Sequence, residues 1–328
     1  MGTTSYLLLG CEVTAGPSKT GTERQLFRTR STLIYNRSVA SLRNAAFAIV
    51  ICLTATAGWS GRAAEQQPPR PSAGRILLVP RRAAAGDRVT LAVLDANGRL
   101  TPGVTVEFST GARVTTDSTG RAAFLAPAIP GPVFAWIRGR RGRAGMAILP
   151  VAPASGPPIA VLVAPRFAAL SDRFEVTGSG FCGEADANRV TIAGRPALVL
   201  AASSLALTIL PPEETDPGPA EVALSCQDRA AVSFPLTFVS LELQASAAPL
   251  APGERRELLV RVTGTNARVA LEAHNLAPKI TELAGGNPMR LSSTGGTENS
   301  ARFVLVGLTR GTFLIHFRIG PSYASPHP

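Results

Sequence analysis

Lysine, histidine, cysteine and aromatic residues are all scarce in this 328-residue chain. Of its 33 basic residues only Lys19 and Lys279 are lysines, and aromatics make up 5%. Three histidines and four cysteines leave little material for a metal or redox enzyme. No Gly-x-Ser-x-Gly, His-Glu-x-x-His or Gly-x-x-x-x-Gly-Lys-Ser/Thr motif is present. Gly178-Ser179-Gly180 lacks the strand-to-helix setting of a nucleophile elbow. After residue 65 there is no convincing amphipathic helix of ten or more residues. No apolar run reaches the ~20 residues that a membrane helix needs. These absences point away from catalysis, from a resident cofactor and from a metal centre.

What is present is a chain able to build cores. Hydrophobic residues make up 45%, and 31 glycines with 27 prolines supply many turns. The length allows two or three domains. The net charge is +11.

The first 43 residues are polar and basic and hold no persistent period of 2 or 3.6. Residues 45–57 then run 13 positions without a charge, with Arg37 and Arg43 ahead of them. That run is too short to span a bilayer and fits the apolar region of a secretory signal. Ala55-Thr56-Ala57 offers a small-x-small cleavage site, and Gly61-Arg62-Ala63 a second. An uncleaved anchor or a buried element is the rival reading. Ile51 ahead of Cys52 argues against lipidation. The extension before Arg37 is long for a signal, which suggests a start near Val39 or Leu42. We therefore expect a signal segment with an N-terminal extension over 1–57 and a Pro-rich linker over 58–74. In the linker, Gln66-Gln67-Pro68-Pro69-Arg70-Pro71-Ser72 suits neither a helix nor a central strand.

From Arg75 onward, short apolar runs alternate with turn residues. The spacing predicts strands at 76–79, 88–94, 105–109, 122–125, 133–137 and 146–149. Turns fall at Asn97-Gly98, Pro102-Gly103, Ser118-Thr119-Gly120 and Pro130-Gly131. Strands recurring every 8–12 residues or so indicate sandwiches or barrels. Further alternation marks 258–263, 302–306 and 313–319, and Ala267–Leu276 alternates better than it turns. The expected fold class is all-β: tandem immunoglobulin-like β-sandwiches after a signal segment.

Two stretches carry family resemblances. Ala85-Gly86-Asp87-Arg88-Val89-Thr90-Leu91, Gly103-Val104-Thr105-Val106-Glu107-Phe108 and Thr116-Asp117-Ser118-Thr119-Gly120-Arg121-Ala122 make residues 75–150 resemble the bacterial immunoglobulin-like domains of the invasin and intimin type. Phe174-Glu175-Val176-Thr177-Gly178-Ser179-Gly180-Phe181, followed by 189–199, 207–212 and 218–224, makes residues 158–239 resemble IPT/TIG domains. Residues 241–320 resemble no family we can name and read as a third β-sandwich, with 321–328 as a tail. Both resemblances imply extracytoplasmic contact with protein or glycan. Neither brings catalytic residues.

Cys11 and Cys52 fall in the segment expected to be removed, which leaves Cys182 and Cys226. In immunoglobulin topology they end the second and penultimate strands of one sandwich, at the same pole. A disulfide between them is expected, the alternative being two unconnected buried thiols. Arg138-Gly139-Arg140-Arg141-Gly142-Arg143 is the densest charge feature and sits between two expected strands. Arg138, Arg140, Arg141 and Arg143 could grip carboxylate or phosphate bidentately; a solvated hairpin tip is the plainer reading. Phe134 and Trp136 are too few for a nucleic-acid stacking platform. Residues 65–157 carry 12 basic against 5 acidic residues, and residues 158–239 carry 5 against 9. Contact between neighbouring domains is thus as good a use of the charge as a foreign ligand. Asp95-Ala96-Asn97-Gly98 begins like a calcium loop but lacks the bidentate Glu, so a turn is expected. A weak divalent site among the loop acids Glu184, Asp186, Glu213, Glu214 and Asp216 is disfavoured. His316, between Ile315 and Phe317, reads as a surface strand histidine.

The reading that follows is an exported, noncatalytic cell-envelope protein acting as a binding, adhesion or spacer module. A purely structural stalk, or an accessory array for a neighbouring envelope enzyme, is the alternative. Expected partners are an envelope protein or an anionic glycan, with no nucleic acid and no integral membrane span after signal cleavage. The expected location is extracytoplasmic.

Overall fold

The computed structural model describes residues 8–13, 75–95, 97–150, 158–227, 229–245 and 248–320. For 8–13 it gives the backbone course only. The apolar run at 45–57, the linker 58–74 and the tail 321–328 lie outside the described residues.

Strand β1 (Leu8–Val13) belongs with the third sandwich and is taken up there. The first sandwich is built from β2 (Ile76–Leu78), β3 (Arg82–Ala84), β4 (Arg88–Leu94), β5 (Thr105–Phe108), β6 (Arg113–Thr115), β7 (Arg121–Leu125), β8 (Gly131–Ile137) and β9 (Ala144–Leu149). One sheet pairs β2 and β7 on either side of β4. The other runs β3-β9-β8-β5-β6. Period-2 alternation dictates the packing. In β8, Val133, Ala135 and Ile137 point inward, while Pro132, Phe134 and Trp136 point outward. The inward set meets Val89, Leu91, Val106, Phe108 and Phe124 in one core. There Phe108 and Phe124 stack at 4.2 Å.

The second sandwich comprises β10 (Ala160–Val163), β11 (Phe167–Ala169), β12 (Phe174–Ser179), β13 (Asn188–Ile192), β14 (Arg195–Ala202), β15 (Ala206–Leu210), β16 (Gly218–Cys226) and β17 (Val232–Gln244). A short 3-10 turn, Ala185–Ala187, precedes β13. Strand β14 serves both sheets. It pairs with β13 through Arg195–Ala197 and with β15 through Leu198–Ala202, with a bulge between Val199 and Ala201. Val176, Ile192, Leu207, Ile209, Leu224 and Phe238 fill the core.

The third sandwich contains β18 (Arg255–Thr263), β19 (Ala270–Asn275), β20 (Thr281–Leu283), β21 (Met289–Ser292), β22 (Ser300–Gly307) and β23 (Gly311–Ile319). One sheet runs β17-β18-β22-β20 and the other β1-β23-β19-β21. The polar N-terminal extension, read from sequence as holding no regular element, therefore supplies a strand. Leu8–Val13 lies antiparallel on β23, with Leu8 opposite His316 and Val13 opposite Gly311. Its backbone occupies the hydrogen-bonding edge of β23, a contact that demands little of side-chain pattern.

The sandwiches are joined more closely than short linkers imply. In β4 every residue from Val89 to Leu94 is buried. Val89, Leu91 and Val93 face their own core, while Ala92 and Leu94 pack on Leu200 and Ala201 of β14. Burial on both sides is why β4 reads as a continuous apolar run. The second and third sandwiches share β17. Its first part pairs with β16 and its last part, from Ser240, with β18. The boundary placed at residue 240 thus falls inside one 13-residue strand. Phe238 and Val239 are consecutive and both fully buried, one in each core.

Candidate functional site

The arginine-rich segment is the connection between β8 and β9. Ala135 pairs with Ala144, so residues 138–143 form the tip of a hairpin. Gly139 and Gly142 take positive φ, 76° and 111°, which lets the chain reverse within the tip. Arg138, Arg141 and Arg143 are exposed and Arg140 is half-buried.

Below the tip, the register brings a charged and aromatic row onto the outer face. Trp136 lies opposite Glu107, which lies opposite Arg113. Trp136 Nε1 donates to Glu107 Oε2 at 3.1 Å. Arg113 Nε and Arg138 Nε both approach Glu107 Oε1, at 3.2 and 3.7 Å. On the far side of Trp136, the Arg143 guanidinium sits 5.5 Å from the ring centroid. At such an exposed position this cation–π contact contributes about 0.5–1 kcal/mol. Glu107 is therefore fully engaged, while Arg141 and Arg143 form no ion pair among the described residues. Arg141 and Arg143 thus present positive charge beside one exposed ring, Phe134. The role of Glu107 was missed in the sequence, where it stands only as one residue of an expected strand at 105–109. Its place opposite Trp136 follows once β5 and β8 are paired.

Cys182 and Cys226 are joined in a disulfide with a Cα–Cα distance of 5.7 Å. Asn188, buried beside it, clamps the adjoining loop. It accepts from the Cys182 N–H at 2.9 Å and donates to the carbonyls of Cys182 and Glu184. That loop docks on the first sandwich. Thr90 Oγ1 donates to the Gly183 carbonyl at 2.8 Å and accepts from the Ala185 N–H at 3.1 Å. A Cβ at Gly183 would come within 1.6 Å of the Arg88 carbonyl oxygen, so only glycine permits this approach. Beside it, buried Arg121 donates to the Val199 carbonyl at 2.7 Å and to Asp186 at 2.9 Å. Arg88–Glu184 and Arg81–Glu175 are further pairs across the same junction. The opposite charges of residues 65–157 and 158–239 thus meet each other here. Burial pushes the Glu175 carboxyl up, and Arg81 pulls against that shift.

The loop acids are otherwise dispersed. Glu214 reaches Arg195, and Asp186 is taken by Arg121. Asp95 closes a turn by accepting the N–H groups of Asn97 and Arg99. Among the described residues no group of three or more His, Cys, Asp or Glu side chains is placed to hold a metal ion. Among them, too, no helix is long and apolar enough to cross a membrane.

The third sandwich holds a charge cluster that the sequence did not reveal. Glu272, on β19, is 1% exposed. Its cross-strand neighbours are Arg290 on β21 and Arg318 on β23. Arg290 Nε donates to Oε1 at 2.7 Å, and Arg318 donates to Oε2 from Nε at 2.7 Å and from a terminal nitrogen at 2.5 Å. His274 Nε2 lies 3.2 Å from Oε2. Burial alone would raise the Glu272 carboxyl, but hydrogen bonds from Arg318, His274 and Arg290 outweigh it and hold the pKa at about 2. His316 is half-buried rather than on the surface, and burial pushes its pKa down. Each carboxylate oxygen of Glu272 is already engaged by a charged or ring donor, which makes the cluster a structural brace rather than a ligand site.

No family model and no curated protein matches the sequence. Solved structures do show similarity. SGBP-B of the Bacteroides ovatus mixed-linkage glucan utilization locus, in complex with a mixed-linkage heptasaccharide, is 13% identical over 74% of this chain and 74% of that chain, with a TM-score of 0.30. Sidekick-1 immunoglobulin domains 1–4 are 12% identical over 72% and 76%, with a TM-score of 0.25. Invasin, a bacterial integrin-binding protein, is 15% identical over 75% of this chain and 56% of its own, with a TM-score of 0.18. The pairing of strands described above is that of an all-β chain of tandem immunoglobulin-like β-sandwiches.

Proposed function

We propose that this chain is an exported, noncatalytic binding module of the cell envelope, and that Arg138, Arg140, Arg141 and Arg143 form its contact with a polyanionic partner. The observation that carries the reading is the saturation of Glu107. Two arginines and the Trp136 indole already share that one carboxylate, so the charge of Arg141 and Arg143 faces outward. Exposed guanidinium groups of this kind match carboxylate and phosphate in paired hydrogen bonds. Export is supported by the Cys182–Cys226 bridge, since such bonds persist in oxidising compartments. The signal-like run at 45–57 points the same way, and cleavage behind it would take Leu8–Val13 off the edge of β23. The glucan-protein complex above is a property of that other protein. It suggests a glycan as the first class of ligand to try.

The test is binding of the full chain to lipopolysaccharide and to polygalacturonate at low and at physiological salt. The reading expects salt-sensitive binding, lost when all four arginines are replaced by serine. The stalk reading expects no binding to lose.

A further inference from the structure

Resting on that polyanion reading, we propose that the partner is a uronate-bearing polysaccharide and that Phe134 is the subsite on which one of its sugar rings stacks.

Phe134 stands in the middle of β8 on the outer face and is 42% exposed. Its position is shaped by what surrounds it. Gly145 lies directly across on β9. A Cβ at Gly145 would sit 3.5 Å from Phe134 Cε1 and 3.6 Å from Cδ1, so the ring lies over the glycine. The ring thus packs partly on the sheet and leaves 42% of the residue exposed. Its neighbours across the two ladders are small: Ala147 beyond Gly145, and Ser109, whose Oγ accepts the Phe134 N–H at 3.1 Å. Along β8 its outer-face neighbours are Pro132 and Trp136.

The apolar C–H face of a pyranose fits such a ring, because its positively polarised hydrogens meet the negative face of the π system. The guanidinium groups lie farther along the same strand. From Phe134 to Arg138 is four residues, roughly 13 Å of extended chain. A polymer lying along β8 would thus present a sugar face to Phe134 and carboxylates to the arginines. Trp136 is no second platform, since Arg143 covers one face of it and Glu107 holds its edge. Single-stranded nucleic acid is handled by successive stacking rings, and this face offers one. The arrangement of one exposed ring beside clustered cations favours an acidic glycan over nucleic acid and over polymers with no apolar face.

The experiment measures affinities of the full chain for polygalacturonate, polyacrylate of matched charge, polyphosphate and oligo-dT. Wild type is compared with Phe134→Ala and with the fourfold Arg→Ser variant. The expected result is preference for polygalacturonate over polyacrylate. Phe134→Ala weakens polygalacturonate about two- to tenfold, the range of one aromatic contact, and leaves polyacrylate unchanged. The arginine variant loses both. Phe134 is exposed, so its replacement leaves the core intact, which circular dichroism would verify. Equal affinity for polygalacturonate and polyacrylate overturns the stacking subsite, as does an equal effect, or none, of Phe134→Ala on both. Tightest binding to polyphosphate or oligo-dT likewise overturns the glycan assignment. In each case the polyanion reading still stands. Binding to none of the four polymers overturns that reading as well.

Discussion

Breaking the Cys182–Cys226 bridge is expected to destabilise the second sandwich by an amount that also reports how the sandwiches unfold. The two cysteines are 44 residues apart. In the chain-entropy model, a closed loop of that size limits the unfolded chain enough to stabilise the fold by about 4 kcal/mol. If the second sandwich melts alone, at about 4–8 °C per kcal/mol, the double variant Cys182→Ala/Cys226→Ala should lose roughly 16–32 °C in Tm. If the first two sandwiches melt as one block, at about 2–4 °C per kcal/mol, the loss should be roughly 8–16 °C. The second outcome is the one expected. The buried patch of Leu78, Ala92, Leu94, Leu200 and Ala201, with the loop from Gly183 to Ala185 on Thr90, couples the two sandwiches. Differential scanning calorimetry of the oxidised, reduced and doubly substituted chain measures the shift. A fall of less than about 3 °C would refute the loop-entropy argument. A fall in the larger range would refute the coupling.

Three further outcomes are expected. Arg121→Met strands the buried Val199 carbonyl without its donor. It should cost about 1–3 kcal/mol and split the shared calorimetric transition in two, whereas one unchanged transition would count against the junction. Glu272 is held at about 2, below its ordinary value of 4.5. Its contribution is therefore complete above pH 4.5 and is lost as pH falls toward that depressed value. Glu272→Gln should remove this part of the acid sensitivity, and an unchanged Tm–pH curve would contradict it. Gly183→Ala should disrupt the junction, because the added carbon meets the Arg88 carbonyl; a variant as stable as wild type would show that the loop does not dock there.

Much of the β framework was legible in the residues. Strands expected at 105–109 and 133–137 are found as Thr105–Phe108 and Gly131–Ile137, because both stretches alternate cleanly. The hairpin tip followed from its flanking strands, and the disulfide from an even pair of cysteines at one pole. The elements that escaped are those with too little pattern to show a period. Arg82–Ala84, Arg113–Thr115 and Phe167–Ala169 have three residues each. Leu8–Val13 is specified by the backbone edge it meets. The continuity of β17 did leave a trace that was overlooked. Phe234, Leu236 and Phe238 keep one phase, while Val239, Leu241 and Leu243 keep the opposite one. Such a flip of phase within one continuous strand marks its passage between two cores. Glu272 was hidden for a different reason. Alternation puts it on the face away from Leu271 and Ala273, and only pairing with β21 and β23 brings Arg290 and Arg318 to it. Phe134 looked unremarkable because the exposure of its ring depends on Gly145, which is distant in sequence until β8 and β9 pair.

The shared strand has a mechanical consequence. Because β17 enters the third sandwich with no spacer, there is no slack to spool out between the last two sandwiches under tension. A pull along the chain loads the ladder with β16 on one side and the ladder with β18 on the other. Extension there must begin by shearing rows of backbone hydrogen bonds. At that joint the continuous strand makes a stiff coupling rather than a tether between the second and third sandwiches.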